Sequence, residues 1–240
     1  MVNKTPLVSI GYQVIEGFLN PSECQKILDG IQDFRENNKL QEIFRLVRGR
    51  NLHYFVIRGD QIEKSLSNIL QLYLGRVNQL VNELVVDKLV PLSNLKAGVN
   101  VNIIPPGDYE YRWHYDRAYI TAILYLNEVQ GGATEMYPNN RIFLNNKFMV
   151  LQKLIDWILN IPFIRFFFSN KVAVAPKVGR LAIMQANRCF HSVTPVEGDD
   201  DRINIILSYD YPDVEFPTEQ GLDKYLYTRD KPKSTDPNYG

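Results

Sequence analysis

The chain has 240 residues, of which 45% are hydrophobic and 22% charged, and its 27 basic side chains balance its 27 acidic ones. This composition predicts a globular chain with a sizeable core and argues against wholesale disorder. Because the charges balance, the chain has no overall field that would gather nucleic acid or an anionic membrane, and no nucleic-acid partner is expected.

The cysteine content indicates the compartment. Cys24 and Cys189 are too few and too far apart for a disulfide framework. The first residues, MVNKTPLVSIGYQVIEGF, lack the apolar run and the cleavage site of a secretory signal. We therefore expect a reducing, cytoplasmic setting and a single domain over residues 1–240.

Two amphipathic helices are predicted in the first part of the chain. NPSECQKILDGIQDF begins with Asn20 as an N-cap and Pro21 at the first helical position. DQIEKSLSNILQLYLGRVNQLVNELV has Asp60 and Glu63 as a capping-box pair and a continuous apolar stripe, which predicts one longer helix. We expect residues 1–96 to form a helical N-terminal support.

Short β-branched and aromatic runs follow Pro91, separated by Gly, Pro and Asn. They are AGVNVNII, YITAILYLN, ATEMYP, KVAVAP, RLAIMQA and RINIILSYDY. This pattern predicts a β-sandwich or barrel over residues 97–212, with the helices packed on the outside of one sheet and a C-terminal tail over residues 213–240. The fold class is therefore mainly β with flanking helices (α+β).

An insert at residues 139–171 interrupts the strand order between ATEMYP and KVAVAP. Within it, FMVLQKLIDWILNIPFIRFFF at residues 148–168 has the length of a membrane span, but charged residues and Pro162 interrupt it, so no span is predicted. The apolar spacing predicts an amphipathic helix near residues 151–159. The insert is hypothesised to cover the active site or to form a homodimer through residues 148–168, and packing on the sandwich is the alternative.

The stretch WHYDRAYITAILYLNE carries His114 and Asp116 at the start of a predicted strand. Residues two apart on a strand point to the same face, so both side chains can enter a cavity while Tyr115 faces away. This pair fits two metal ligands. It also fits two polar residues that hydrogen-bond to each other or to water, because a lone His-x-Asp is weak evidence.

The stretch GRLAIMQANRCFHSVTPVEGDDDRINIILS strengthens the metal hypothesis. It places His191 just after a strand and Arg202 at the start of the next. Two histidines and one carboxylate on one face of a ferrous ion leave the opposite face open. An arginine can grip a carboxylate with two parallel hydrogen bonds. His191 could instead be a buried structural histidine, and Arg202 a surface charge beside EGDDD.

Strand parity indicates which side of the last strand faces the cavity. Arg202, Asn204, Ile206 and Ser208 share one face, which we take as the cavity face. Three further side chains could line the pocket, but we expect them to pack the sandwich; they are Asn102, Thr134 and Met136.

These pieces together resemble a known family. His114-x-Asp116, GGATEMYP, APKVGRLAIMQANRCFHSVTPV and Arg202, in this order across residues 99–211, resemble the iron(II)/2-oxoglutarate dioxygenases, in particular the prolyl 4-hydroxylase-like branch. The resemblance implies a double-stranded β-helix core, a jelly roll of the cupin type, with N-terminal helices packed on one sheet. It also implies that His114, Asp116 and His191 bind Fe(II).

The resemblance further implies a site for 2-oxoglutarate. Arg202 would pair with its distal carboxylate, and Tyr125 would add a hydroxyl to the same group. Some relatives use a tyrosine on the strand before the His-x-Asp, where this chain has Ile104. Many oxygenases have Arg-x-Ser where this chain has Asn204, whose role is left open.

The family chemistry consumes O2 and converts 2-oxoglutarate to succinate and carbon dioxide, with ascorbate as a possible reductant. Relatives that halogenate replace the carboxylate ligand with a small residue, so Asp116 favours hydroxylation of an unactivated C–H bond. The first hypothesis is a small-molecule substrate, such as an amino acid or a natural-product intermediate. The alternatives are a peptidyl or prolyl hydroxylase acting on a protein or peptide, and a non-catalytic metal-binding sandwich.

Four residues are candidate substrate contacts, and two of them, Arg112 and Arg188, flank the expected mouth of the pocket. The four are Arg112, Trp113, Tyr119 and Arg188. The two arginines could hold an acidic substrate or could be rim charges, and the two aromatic residues could line the pocket or pack the sandwich.

Overall fold

The computed structural model of the chain describes residues 6–47, 50–109, 111, 113–142, 149–159, 161–168 and 170–214. The helices are α1 (Pro6–Ile10), α2 (Pro21–Asn37), α3 (Gly59–Ser65), α4 (Ser67–Leu72), α5 (Asn78–Leu84), α6 (Leu95–Gly98), α7 (Met149–Leu159) and α8 (Pro162–Phe168). The strands are β1 (Tyr12–Ile15), β2 (Gln41–Val47), β3 (Arg50–Arg58), β4 (Val90–Pro91), β5 (Val99–Ile104), β6 (Ile120–Tyr125), β7 (Gln130–Gly131), β8 (Thr134–Tyr137), β9 (Val172–Val174), β10 (Leu181–Met184), β11 (Phe190–Val193), β12 (Val196–Glu197) and β13 (Arg202–Asp210).

Two antiparallel sheets form the β core. The larger sheet has the order β1-β10-β6-β13-β5-β3-β2, with β4 beside β13, and the smaller sheet has the order β11-β8-β9. A two-stranded ribbon pairs β12 with β7. Ile123 and Met184 of the larger sheet pack with Met136 and Val174 of the smaller one. This is the core of a double-stranded β-helix with helices outside, as the sequence predicts.

The two faces of the larger sheet have different roles. Val99, Val101 and Ile103 of β5 pack into the main hydrophobic core with α2 and the helices after it. The intervening Asn100 and Asn102 face a cavity on the other side. Because side chains alternate along a strand, the period of two in VNVNII separates the core face from the cavity face. The six strands predicted after Pro91 are all present.

The first predicted helix is confirmed as α2. Its N-cap, Asn20, accepts a hydrogen bond from the backbone N–H of Glu23 at 2.9 Å. The Glu23 carboxylate accepts one from the backbone N–H of Asn20 at 2.8 Å. This reciprocal pair satisfies two backbone donors that the start of a helix otherwise leaves without partners.

The second predicted helix is wrong as a single element. The chain forms α3, α4, a π-helical turn at Tyr73–Val77 and then α5, and the backbone leaves the helical region at Leu66 with φ −130° and ψ 56°. The break allows the buried Leu66 side chain to pack beside Gly30 of α2. The predicted capping box of Asp60 and Glu63 is also wrong, because the cap is Arg58, whose backbone N–H donates to Gln61.

The description of residues 1–96 as a helical support is incomplete. This part of the chain also supplies β1, β2, β3 and β4 to the larger sheet. Strand β3 pairs with β5 through Phe55–Ile103 and Val56–Asn102, and it therefore forms part of the wall beside the cavity. The missed strands lie at or next to the edges of the sheet, where partial exposure weakens the hydrophobic pattern.

Tyr73 joins the helical layer to the sheet. Its hydroxyl donates to the backbone carbonyl of Ser208 at 2.9 Å and accepts from the backbone N–H of Leu92 at 2.7 Å. The side chain is fully buried, and burial raises its pKa well above the ordinary value. The hydroxyl is therefore neutral and can serve as donor and acceptor at once.

We expect Tyr73→Phe to destabilise the fold, because it leaves the N–H of Leu92 buried without this acceptor. The expected loss in the free energy of unfolding is about 1–3 kcal/mol. Urea titration followed by circular dichroism measures it. Tyr211→Phe is the matched control, since it removes a hydroxyl that bonds to Asp87 at the surface, and it should change stability by less than about 0.5 kcal/mol. Equal losses in both variants would contradict the structural role of Tyr73.

Candidate metal centre and anion pocket

His114, Asp116 and His191 converge at one end of the cavity. Nε2 of His114 lies 3.3 Å from Oδ1 of Asp116, and Nε2 of His191 lies 3.5 Å from the same oxygen. One potential ligand atom from each residue lies within 4.8 Å of the other two. Residues 77 positions apart in sequence thus present two imidazole nitrogens and one carboxylate oxygen to a common point.

A short backbone bridge brings the two histidines together. The N–H of His114 donates to the carbonyl of His191 at 2.9 Å, and the N–H of His191 donates to the carbonyl of His114 at the same distance. His191 lies in β11, whereas His114 lies outside the named strands and pairs only at this position. The imidazole rings are 4.3 Å apart between centroids.

Hydrogen bonds from neighbouring groups orient the ligand atoms. The Thr121 hydroxyl donates to Oδ2 of Asp116 at 2.7 Å, which leaves Oδ1 directed towards the histidines. Nδ1 of His191 donates to the backbone carbonyl of Cys189 at 2.9 Å. Because Nδ1 carries the proton in this bond, Nε2 of His191 keeps a lone pair for a metal.

The local electrostatics favour the same protonation states. Burial, the largest influence on His191, lowers its pKa to about 4 and keeps the imidazole neutral. Burial acts to raise the pKa of Asp116, but the two histidines and the Thr121 hydroxyl together outweigh it and hold that pKa well below the ordinary value. A neutral His191 and an ionised Asp116 are in the states in which such residues bind a metal.

This donor set fits a ferrous ion. Two histidines and one carboxylate on one face are the ligands of non-haem Fe(II) oxygenases, in which the remaining positions stay open. Among the residues that the structure describes, it is the one group of three or more His, Cys, Asp and Glu side chains with such spacing. The metal hypothesis for the His-x-Asp stretch therefore has a geometry that supports it.

A cavity of about 130 Å³ extends from the histidines into the β core. Its wall contains Arg202, Asn204, Ile206 and Ser208, so the parity predicted for β13 is confirmed. Asn102 and Thr134 also line it, which corrects the expectation that they only pack the sandwich. Ile104 lines the cavity at the position where some relatives use a tyrosine.

Arg202 is the buried cation of this cavity, with 1% of its surface exposed. Its Nη1 donates to Oδ1 of Asn204 and its Nη2 to the Thr134 hydroxyl at 3.2 Å. Its Nε has no hydrogen-bond partner within the described part of the chain. The hydrogen-bond partners that the described residues offer this buried guanidinium are the neutral side chains of Asn204 and Thr134.

Gly132 provides the space that the Arg202 side chain occupies. Its φ is +59°, and a Cβ at this position would lie 2.8 Å from Cδ of Arg202 and 3.2 Å from Cγ2 of Val196. A side chain larger than glycine would therefore displace the guanidinium. The second glycine of GGATEMYP thus has a positional role beside the cation.

Tyr125 lies behind the cavity wall. Its hydroxyl donates to the Thr134 hydroxyl at 2.7 Å, and its ring centroid lies 5.1 Å from the Arg202 guanidinium carbon. Thr134 lines the cavity, whereas Tyr125 is absent from its wall. The contact predicted between Tyr125 and the carboxylate of 2-oxoglutarate stays a prediction, and the structure places Thr134 between Tyr125 and the cavity.

The predicted substrate contacts are not gathered around the cavity. Trp113 stacks on Phe190 at 5.5 Å outside the cavity wall, and Tyr119 packs against Tyr211 at 5.1 Å beside the main core. Arg188 likewise does not line the cavity. Arg112 lies outside the described residues. The assignment of Tyr119 to the pocket is therefore wrong, because Tyr119 precedes β6 and its side chain packs on Tyr211 and the main core.

Sequence reasoning missed two tyrosines of the wall. Tyr54 of β3 and Tyr111 line the cavity, and their rings lie 5.3 Å apart. The Tyr111 hydroxyl accepts a bond of 3.4 Å from Asn102, and burial raises its pKa well above the ordinary value. The alternation in β3 could have signalled Tyr54, whereas Tyr111 lies in a loop without a period.

The start of the insert contacts Tyr115, which lies between two metal ligands. None of the described residues of the insert lines the cavity. Asn140 donates to the Tyr115 hydroxyl at 2.8 Å, and the Arg141 guanidinium lies 4.9 Å from the Tyr115 ring centroid. Tyr115 faces away from the cavity between His114 and Asp116, as its parity predicts. The lid hypothesis therefore gains no support from the described part of the insert.

Part of the chain matches a known protein family. The family model of the 2OG-Fe(II) oxygenase superfamily matches residues 99–209, a range that contains His114, Asp116, His191 and Arg202. This match, together with the His-Asp-His cluster that lies within it, indicates an Fe(II)- and 2-oxoglutarate-dependent oxygenase domain over residues 99–209. A search of curated proteins by sequence found no significant match.

Solved structures share the fold at low identity. The epimerase SnoN from nogalamycin biosynthesis, in complex with Fe3+, alpha ketoglutarate and nogalamycin RO, is 14% identical with a TM-score of 0.64, over 85% of this chain and 80% of that one. The carbocyclase SnoK from nogalamycin biosynthesis is 15% identical with a TM-score of 0.63, over 96% and 92%. A prolyl hydroxylase from Trichoplax adhaerens, with a peptide fragment of the hypoxia inducible factor oxygen degradation domain, is 19% identical with a TM-score of 0.54, over 85% and 86%.

We expect Thr121→Val to weaken metal binding, because Asp116 loses the hydrogen bond that fixes its orientation. Loss of such a partner lowers metal affinity by about 10- to 100-fold. Anaerobic titration with Fe(II) measures the change. Thr121→Ser keeps the hydroxyl and should stay close to the unsubstituted protein, whereas equal affinity of the valine variant would show that Thr121 does not position Asp116.

We expect Gly132→Ala to weaken binding of 2-oxoglutarate by about 10- to 100-fold, because the new Cβ displaces Arg202. Isothermal titration with 2-oxoglutarate measures it. Gly17→Ala is the matched control: its φ of +60° gives the same backbone strain, but its Cβ meets nothing within 4 Å. Similar affinity losses in both variants would mean that strain, and not displacement of Arg202, is responsible.

Proposed function

We propose that the protein hydroxylates an unactivated C–H bond of a small molecule, such as an amino acid or a natural-product intermediate, while 2-oxoglutarate is converted to succinate and carbon dioxide. The observation that carries the proposal is the arrangement of a His-Asp-His cluster and a buried Arg202 along one cavity. The cluster suits Fe(II), and the buried cation suits a dicarboxylate.

The metal residues have distinct tasks in this proposal. His114, Asp116 and His191 hold Fe(II), Thr121 fixes the Asp116 carboxylate, and the carbonyl of Cys189 fixes the proton on Nδ1 of His191. Bound iron and 2-oxoglutarate supply the oxidising chemistry that activates O2. The ionised Asp116 occupies a ligand position that a small residue would leave open, which supports hydroxylation.

Arg202 binds the distal carboxylate of 2-oxoglutarate in this proposal. A buried guanidinium without an acidic partner is costly, and an anionic ligand would supply the missing charge. The unpartnered Nε is a donor for that ligand, while Asn204 and Thr134 hold the other two nitrogens in place. Asn204 thereby acquires a role that the sequence left open: it orients the cation.

The cavity supports a small substrate. It lies inside the β core, and its wall includes Tyr54, Val56, Leu92 and Ala97. Its volume of about 130 Å³ is small for a ligand pocket, which favours a small substrate over a folded peptide segment. The mainly apolar wall excludes water from the reacting centre.

The proposed activity is tested by succinate release from 2-oxoglutarate in the presence of Fe(II) and O2. His114→Ala should abolish release. Arg202→Lys should raise the KM for 2-oxoglutarate by about tenfold or more, since an ammonium lacks the planar pair of donors. Arg35→Lys, which changes an arginine paired with Asp201 at the surface, is the matched control and should have no effect. Release that persists in His114→Ala would overturn the proposed iron site.

The substrate class is tested separately. A metabolite library and a proline-containing peptide library are screened for compounds that accelerate succinate release. We expect acceleration by a small molecule and a product that is heavier by one oxygen atom, measured by mass spectrometry. Acceleration by peptides alone would replace the small-molecule proposal with a peptidyl hydroxylase and would leave the oxygenase assignment intact.

A further inference from the structure

The insert presents an apolar aromatic face to the outside of the molecule. Trp157 of α7 and Phe163, Phe166 and Phe167 of α8 are 66–74% exposed. The Phe163 and Phe167 rings lie 5.2 Å apart, and the Phe166 and Phe167 rings 5.7 Å apart. Leu151 and Leu154 of α7 extend this face, which we call the aromatic face. Exposed apolar patches of this kind mark surfaces that bind something.

Polar contacts hold helix α7, which carries part of the aromatic face, to the chain that precedes it. Asp156 on α7 forms a buried ion pair with Arg141, with Oδ2 2.6 Å from Nη2. Gln152 donates to the same carboxylate and to the backbone carbonyl of Ile142, both at 2.9 Å. Because these bonds tie α7 to the chain that precedes it, Leu151, Leu154 and Trp157 project from an anchored helix.

The segment that forms this face carries a local positive charge. Residues 141–171 contain five basic residues, Arg141, Lys147, Lys153, Arg165 and Lys171, and one acidic residue, Asp156. Arg141 is neutralised by Asp156, and Lys171 pairs with Glu135 at 2.6 Å. Counted together with Glu135, the segment has a net charge of +3. The neutrality of the whole chain conceals this local excess.

We propose that the aromatic face binds the surface of an anionic phospholipid bilayer. Short amphipathic helices with Trp, Phe and Leu on one side and basic residues nearby lie in the plane of such surfaces, where aromatic rings enter the headgroup region. The excess positive charge complements anionic lipid. Within the described part of the chain, no helix reaches the length and hydropathy of a membrane span, so the contact is peripheral.

Charge favours a lipid surface over a second copy of the chain. A symmetric dimer places the same patch of both copies in contact. A dimer through residues 148–168 would therefore bring two positive segments together, whereas an anionic bilayer attracts them. The predicted homodimer has no supporting observation in the structure, and it becomes an outcome of the test.

The test is sedimentation of the full chain with phosphatidylcholine vesicles, prepared with and without phosphatidylserine. We expect binding to the vesicles that contain phosphatidylserine, weaker binding at high salt, and little binding to phosphatidylcholine alone. Replacing Phe163, Phe166 and Phe167 by Ser should lower the partition coefficient by about tenfold or more. Val86→Ser is the matched control, because Val86 is 72% exposed outside the insert; it should bind normally.

A second measurement does not depend on the folding of the triple variant. The chain has two tryptophans, so Trp113→Phe leaves Trp157 as the sole indole. Its fluorescence should shift to shorter wavelength with anionic vesicles and be quenched by brominated lipid. Absence of both vesicle binding and this shift would overturn the proposal. So would a dimer in analytical ultracentrifugation that the triple variant converts to a monomer, since a second copy would then cover the face.

Discussion

The two backbone hydrogen bonds between His114 and His191 are the constraint on which the site depends. They join a segment outside the named strands to β11, and so fix the distance between two imidazoles that the sequence separates by 77 positions. This bridge also positions Asp116. Side chains alternate along an extended segment, so those of His114 and Asp116 lie on the same side. The Thr121 hydroxyl bonds to Oδ2 of Asp116, and Nδ1 of His191 bonds to the Cys189 carbonyl. These bonds leave Oδ1 of Asp116 and Nε2 of His191 to face the metal position.

Side chains alternate between the two faces of the larger sheet, so that one face stabilises the fold and the other forms the functional cavity. On β5 and β13, one set of alternate residues packs against the helices, while the other set presents Asn102, Arg202 and Asn204 to the cavity. A polar residue on the cavity face therefore does not enter the main hydrophobic core and does not weaken its packing. The same sheet can hold a buried cation because the opposite face provides the apolar packing that stabilises the strands.

Features defined by short-range spacing could be predicted from the sequence. The Asn20 cap, the shared direction of His114 and Asp116, and the cavity face of β13 depend on residues a few positions apart, and the structure has all three. Features set by contacts between distant segments could not. The break at Leu66 depends on packing against α2, and the Tyr125 hydroxyl is directed to Thr134 by the arrangement of two strands.

Tyr115 gives the insert a connection to the metal centre that bypasses the cavity. The residue between the two ligands is held from behind by Asn140 and Arg141, and Arg141 is also the residue that anchors α7. Arg141 therefore contacts both Tyr115, which lies between two metal ligands, and helix α7, which carries part of the aromatic face. Substitutions at Asn140 or Arg141 can change how the metal ligands are positioned without changing any residue that contacts a substrate. The rate of turnover and the choice of substrate can therefore change independently in evolution.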